Sequence, residues 1–301
     1  MCNIMPKMKG SAPEFAGGSD DDFLVYGDQL VQRGDPRGEL IHVQRALEAK
    51  PKDTKLRAAQ AKLFADHPEL APPTKWRTKN LRFRQKLTWR LGFVDWAQIK
   101  NPTPERFAAI VDHPSARFLR RLDVEVGGQL TPTIVLQLAR VVRPSLRELV
   151  IIENDVDLGG GKPTYDTERG HVHRKGDALW RAVPGVELLM VRGFRLFHSL
   201  ELPALGELCA IGYPFCSTPW ITPKLAVLTW RVGRTEHLET SVRKGDVDVL
   251  DTALASELPA LRRLDLSDCV RANQYTGLER EPFETTLRRA GRTLDVVLPK
   301  R

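Results

Sequence analysis

Apolar side chains recur along this chain at two different periods, and the change of period divides it. Between residues 20 and 72 the period is helical. Phe23, Tyr26, Leu30 and Val31 form one stripe, Leu40, Val43 and Leu47 a second, and Leu56, Ala59 and Leu63 a third. The polar punctuation agrees. Gly34 is placed to end the first helix in a left-handed conformation, Asp35 to cap the second with Pro36 at its first position, and Asp53 to cap the third. The spacing predicts a small module of three short helices. Residues 1–19, rich in Met, Gly, Ser and Pro, read as a disordered leader with no apolar core of the kind a secretory signal needs.

Further along, the period shortens to that of a strand and the pattern itself repeats. Copies of L-x-x-L-x-L-x-x-N/C begin at Leu119, Leu146, Val186, Leu205, Leu225 and Leu261. Leu122 with Val124, Leu149 with Ile151, Leu189 with Val191, Leu208 with Ala210, Leu228 with Trp230 and Leu264 with Leu266 are the paired inward positions. Alternate side chains of a strand share one face, so stacked copies bury one continuous core. Asn154 and Cys269 occupy the last motif position, where a polar side chain can bond turn backbone. The intervals between copies are 27, 40, 19, 20 and 36 residues. The segments Thr131–Pro144 and Lys244–Pro259 read as helices on the opposite side, with Thr131 and Asp246 or Asp248 as caps. Residues 155–177, polar and glycine-rich, read as a loop insertion. The predicted fold class is α/β: a small helical N-terminal module at residues 20–72, then an irregular leucine-rich-repeat solenoid at residues 73–301. Parallel strands would line its concave face, and helices or loops its convex one.

The run LVYGDQLVQRGDPRGELIHVQRAL, Leu24 to Leu47, resembles the bacterial repeat-companion domain, most closely from Arg33 to Leu40. The later WRLGFVDWAQI, Trp89 to Ile99, is similar to the segment that often follows that module. The chain departs from the family at Gln29, near the position of a usual Trp, and in having the leader in place of an upstream helix. The resemblance implies a companion to repeats with no established chemistry of its own.

Charge changes the picture in one place. The formal net charge is +8, and Lys75, Arg77, Lys79, Arg82, Arg84, Lys86 and Arg90 supply seven positive charges with no acid among them. Across residues 80–93 these basics alternate with Leu81, Phe83, Leu87, Trp89, Leu91 and Phe93. Such alternation predicts a strand with one buried face, here a basic capping strand or hairpin at the open end of the solenoid. The alternatives are a basic edge that docks an acidic protein and a nucleic-acid-binding strip. Phe83 and Trp89 fall on the buried phase, however, which takes them away from base stacking.

Candidate chemistry is sparse. No stretch approaches 18 consecutive apolar residues, so no membrane partner is expected. Four cysteines, Cys2, Cys209, Cys216 and Cys269, include no C-x-x-C pair, which fits a reducing cytoplasm. His171 and His173 are two potential ligands where a structural zinc site takes four. Gly159 to Lys162 lacks the first glycine of a P-loop, and Pro163 follows the lysine. No nucleophile elbow, H-E-x-x-H or dinucleotide turn is present. The expectation is therefore a non-catalytic protein with no cofactor and no metal, binding another protein through the concave face. The positions between core residues would form that surface: Arg121, Asp123, Glu125, Glu148, Met190, Arg192, Glu207, Thr229, Arg231, Arg263, Asp265 and Ser267.

Overall fold

The computed structural model describes residues 19–73, 83–127, 130–154, 176–194, 199–213, 220–231, 258–265 and 295–297. The chain divides into two compact units. One comprises residues 1–71 with Trp89–Phe93, the other residues 72–88 with 94–301.

In the first unit, α1 (Asp20–Gln32), α2 (Pro36–Ala49) and α3 (Thr54–Asp66) form where the apolar stripes lie. Ser19 and Asp22 close a capping box on α1, so Ser19 belongs to the helix and not to the leader. Asp35 accepts from the Arg37 N–H, and Asp53 from those of Lys55 and Leu56. Gly34 takes φ 73°, the left-handed conformation that ends α1. Phe23, Tyr26 and Leu30 of α1 and Leu40 and Ile41 of α2 are buried. Val31, also on the predicted stripe, is 44% exposed. The two-residue turn Leu91-Gly92 completes this core. Both residues have positive φ, 46° and 78°, the signature of a type I′ hairpin turn. Leu91 is fully buried, the Gly92 N–H donates to Gln44 Oε1 at 2.8 Å, and Phe93 meets the rings of Phe23 and Tyr26.

The second unit is mixed α/β. The strands among the described residues are β1 (Arg84–Arg90) and β2 (Phe93–Lys100), whose residues Trp89, Arg90 and Phe93 belong to the first unit, then β3 (Arg121–Gly127), β4 (Glu148–Asn154), β5 (Leu188–Phe194), β6 (Glu207–Tyr213), β7 (Val227–Arg231), β8 (Arg263–Asp265) and β9 (Asp295–Val297). They form a nine-stranded sheet in chain order. From β2 onward every neighbouring pair is parallel. Among the described residues three α-helices intervene: α4 (Pro104–Val111), α5 (Thr131–Leu138) and α6 (Gly176–Ala182).

Register explains the core. Leu122, Leu149, Leu189, Leu208, Leu228 and Leu264 lie side by side across β3 to β8, with Ala97 of β2 before them and Val296 of β9 after. Two residues on, Ile99, Val124, Ile151, Val191 and Ala210 form a second row. From Ala97 to Leu264 none of the buried members of these rows is more than 1% exposed. Phe107 and Ile110 of α4, Ile134, Val135 and Leu138 of α5, and Leu179 and Trp180 of α6 are buried as well.

A turn precedes each strand from β4 to β8. RPSL (143–146), VPGV (183–186), LPAL (202–205), TPKL (222–225) and LPAL (258–261) each close an i to i+3 backbone bond of 3.0–3.2 Å. Proline at the second position presets φ for such a turn, and the fourth residue drops into the core. The next two N–H groups then converge on one carbonyl of the preceding copy, as Glu187 and Leu188 do on Arg147.

Two local expectations differ from what forms. Thr131 does not cap α5. Leu130 holds the cap position, and Thr131 is buried one residue later with its hydroxyl unbonded. Among the described residues Asn154 bonds no turn backbone. Its amide donates to Glu125 Oε1 at 3.0 Å, because parallel register sets a carboxylate within reach. The expected helix at 244–259 and loop at 155–177 lie almost wholly outside the described residues, as does Cys269; α6 starts at Gly176, inside the expected loop.

Candidate functional site: the open face of the parallel sheet

Side chains of the opposite phase gather on the other face of the sheet, and register sorts them into rows. The first row reads Trp96, Arg121, Glu148, Leu188, Glu207, Val227, Arg263 and Asp295. The second reads Gln98, Asp123, Val150, Met190, Cys209, Thr229, Asp265 and Val297. The third reads Lys100, Glu125, Ile152, Arg192, Ile211 and Arg231. Eleven of the twelve residues named from sequence for a binding face fall in these rows. Ser267 lies outside the described residues, and of Arg231 only the backbone is described.

The face has a polar end and an apolar centre. At the β2–β4 end, Arg121 bonds both oxygens of Asp123, at 3.0 and 3.3 Å, and Glu148 at 3.0 Å. Its guanidinium is held above the ordinary value, first by the bond to Asp123. Lys100 Nζ lies 2.6 Å from Glu125 Oε2. That bond, with the Asn154 amide, holds the Glu125 carboxyl below the usual glutamate range. The Trp96 indole donates to Asp123 at 3.0 Å, and its ring carries Lys86 Nζ at 4.9 Å and the Arg121 guanidinium at 5.5 Å. In the centre stand Val150, Ile152, Leu188, Met190, Cys209, Ile211 and Val227. All but Val150, which is 8% exposed, are half-buried.

Lys86 against Trp96 shows that the exposed phase of β1, Arg84 and Lys86, continues this same face. Two residues of the basic strip, Arg84 and Lys86, thus share a surface with the sheet face. The rest of the strip is otherwise committed or outside the described residues. Arg90 pairs with Asp20, and Lys75, Arg77, Lys79 and Arg82 are not described. Phe83 faces the Arg106 guanidinium at 4.8 Å, and Trp89 packs on Phe64 at 4.9 Å, so neither ring is open for stacking.

Sequence reasoning missed Trp96, Gln98 and Lys100, and every apolar member of the face except Met190 and Cys209, the latter lying between two core positions of its strand and so facing the concave side or a neighbouring strand. The missing signal was available. Applying the i, i+2 rule to β4–β7 from their leucines yields Val150, Ile152, Leu188, Cys209, Ile211 and Val227 directly. Among the described residues no group of three or more His, Cys, Asp and Glu is placed to hold a metal ion, and no helix is long and apolar enough to cross a membrane. His171 and His173 lie outside the described residues. Compared with known proteins, the chain matches no family model, no curated sequence and no solved structure.

Proposed function

We propose that this chain is a non-catalytic interaction protein. In this reading an irregular leucine-rich solenoid, preceded by a helical module of repeat-companion type, docks another protein on its open sheet face. The observation that carries the reading is the apolar centre of that face. The leucine rows account for the sheet's stability from one side only, and nothing in them requires Ile152, Leu188, Met190 or Ile211 on the other. A contiguous apolar patch rimmed by polar residues marks an interaction surface on a soluble protein. The rim also favours a protein over a polyanion. Asp123, Glu125, Glu148, Glu207 and Asp265 alternate with Arg121, Arg192 and Arg263, whereas a nucleic-acid footprint is of one sign. The reducing compartment read from the cysteines, the cytoplasm, remains the proposed setting.

The test is retention of native-cell protein on the immobilised full chain after nuclease treatment, in parallel with Met190→Asp. A carboxylate in the middle of the patch should abolish retention while the variant melts within a few degrees of the parent. Equal retention by both would remove the open face from the function. Loss of all retention with nuclease would instead support nucleic-acid association through Arg84, Lys86 and their neighbours.

A further inference from the structure

We propose that the occupant of the open face is an amphipathic α-helix of the partner, placing a basic side chain over Glu207 and an acidic one over Arg192. The inference rests on the docking role proposed above and specifies what docks.

Nearly all described charges on β3–β8 of this face are neutralised within it. Arg121 holds Asp123 and Glu148, Glu125 holds Lys100, and Arg263 holds Asp265. Glu207 and Arg192 are the exceptions. Both are exposed, and neither lies within ion-pair distance of an opposite charge among the described residues, although Arg192 acts at longer range on Glu125 of its own row. Their neighbours in register are apolar: Leu188 and Val227 flank Glu207, and Ile152 and Ile211 flank Arg192. A partner covering the apolar centre would desolvate both ions. Burying a lone charge is costly unless the incoming surface supplies its opposite. The two charges thus state what the partner must carry.

Their separation follows from register. Arg192 pairs with Ile211, four residues beyond Glu207 on the adjacent strand, which sets the two Cα atoms about 14 Å apart, with Met190 and Cys209 between them. A helix rising 1.5 Å per residue spans that in about two and a half turns. The backbone decides between helix and extended segment. A sheet face offers side chains and no free peptide groups, so an extended segment laid on it would leave its own N–H and C=O groups unpaired. A helix satisfies its backbone internally and brings one apolar stripe, the usual partner of a sheet face.

The probe is a synthetic helical peptide of about five turns, with leucines at i, i+3, i+4 and i+7 spacing. Three versions differ only in the two residues flanking that stripe about two and a half turns apart: Lys/Glu, Lys/Lys and Glu/Glu. Affinity for the full chain is read by fluorescence anisotropy at low salt. The Lys/Glu peptide should bind about threefold to tenfold more tightly than either other version, as two exposed ion pairs allow. Glu207→Lys should transfer the preference to the Glu/Glu peptide, and Arg192→Glu to the Lys/Lys peptide. The Glu/Glu and Lys/Lys peptides carry the same charge at both ends, so the transferred preferences do not depend on helix direction; for the parent chain the Lys/Glu peptide is used in both sequence orders, and the better binder is the one compared. Three equal affinities, all lost in Met190→Asp, would overturn the charge assignment while leaving the face a docking surface. If no peptide binds while retention of native-cell protein still depends on Met190, the helical occupant is rejected and the docking role stands.

Discussion

Gly38 sits where two helix backbones nearly touch. A Cβ there would lie 2.5 Å from the Gly27 carbonyl oxygen and 2.6 Å from the Val31 nitrogen, and backbone atoms cannot step aside. Gly38→Ala should therefore destabilise the chain by about 1–3 kcal/mol, the usual cost of overpacking. Gly34 is the contrast. Nothing lies within 4 Å of a Cβ there, so Gly34→Ala meets only the left-handed strain of its φ, about 1–2 kcal/mol. Urea unfolding checks both variants; a Gly38→Ala as stable as the parent would mean that the helices do not cross at Gly38. Glu125 supplies a pH test. Its pKa in the folded chain lies below its ordinary value, so its bonds to Lys100 and Asn154 contribute fully above the unfolded glutamate value. That contribution is lost as pH falls through the lowered folded value. Glu125→Gln should thus melt below the parent at neutral pH, with the gap closing as pH drops below about 4. A gap that stays constant with pH would show that the charge of Glu125 carries no stability.

At the scale of elements, the two faces of each strand make different predictions. Leu149, Leu228 and Leu264 belong to one buried row, and truncating each to Ala should cost about 2–5 kcal/mol. Met190→Ala, on the other face of β5, should cost much less. Equal melting of the leucine variants and the parent would dismiss the row. Elements of this kind are largely legible in sequence, because a leucine in L-x-L is buried by its own strand's geometry whatever its neighbours do. Asp35 and Asp53 were legible for the same reason: a cap depends on residues two or three away. Thr131 was not, because tertiary packing buries it and moves the cap to Leu130. Asn154 was not, because its partner Glu125 is 29 residues away and reaches it only through register. The open face was half legible. Its charged members stood out in the sequence, while Ile152, Leu188 and Ile211 went unassigned until register set them side by side. The X-Pro-x-Leu/Val turn before five strands was readable and is as regular as the leucines.

At the scale of the whole molecule, the uneven charge and the open face become one feature. Arg84 and Lys86 extend the face past Trp96, and in the sequence the net charge of +8 is concentrated in the segment from Lys75 to Arg90 to which they belong. An edge strand rich in Lys and Arg resists pairing with other sheets, so the docking proposed above uses the face and not the edge. Rim charges act more on association rate than on lifetime, so added salt should slow partner association more than it speeds release; stopped-flow mixing with the retained partner would measure both, and an unchanged association rate would separate the basic edge from binding. Met190 gives direct access to the centre of the face. The chain has four methionines, and the other three, Met1, Met5 and Met8, precede the first helix. Oxidation at Met190, located by mass spectrometry, therefore reports on this surface alone. The account predicts that Met190 oxidises readily in the free chain and is protected several-fold once the nuclease-resistant partner is bound. Equal oxidation with and without the partner, or a Met190 already protected in the free chain, would contradict it.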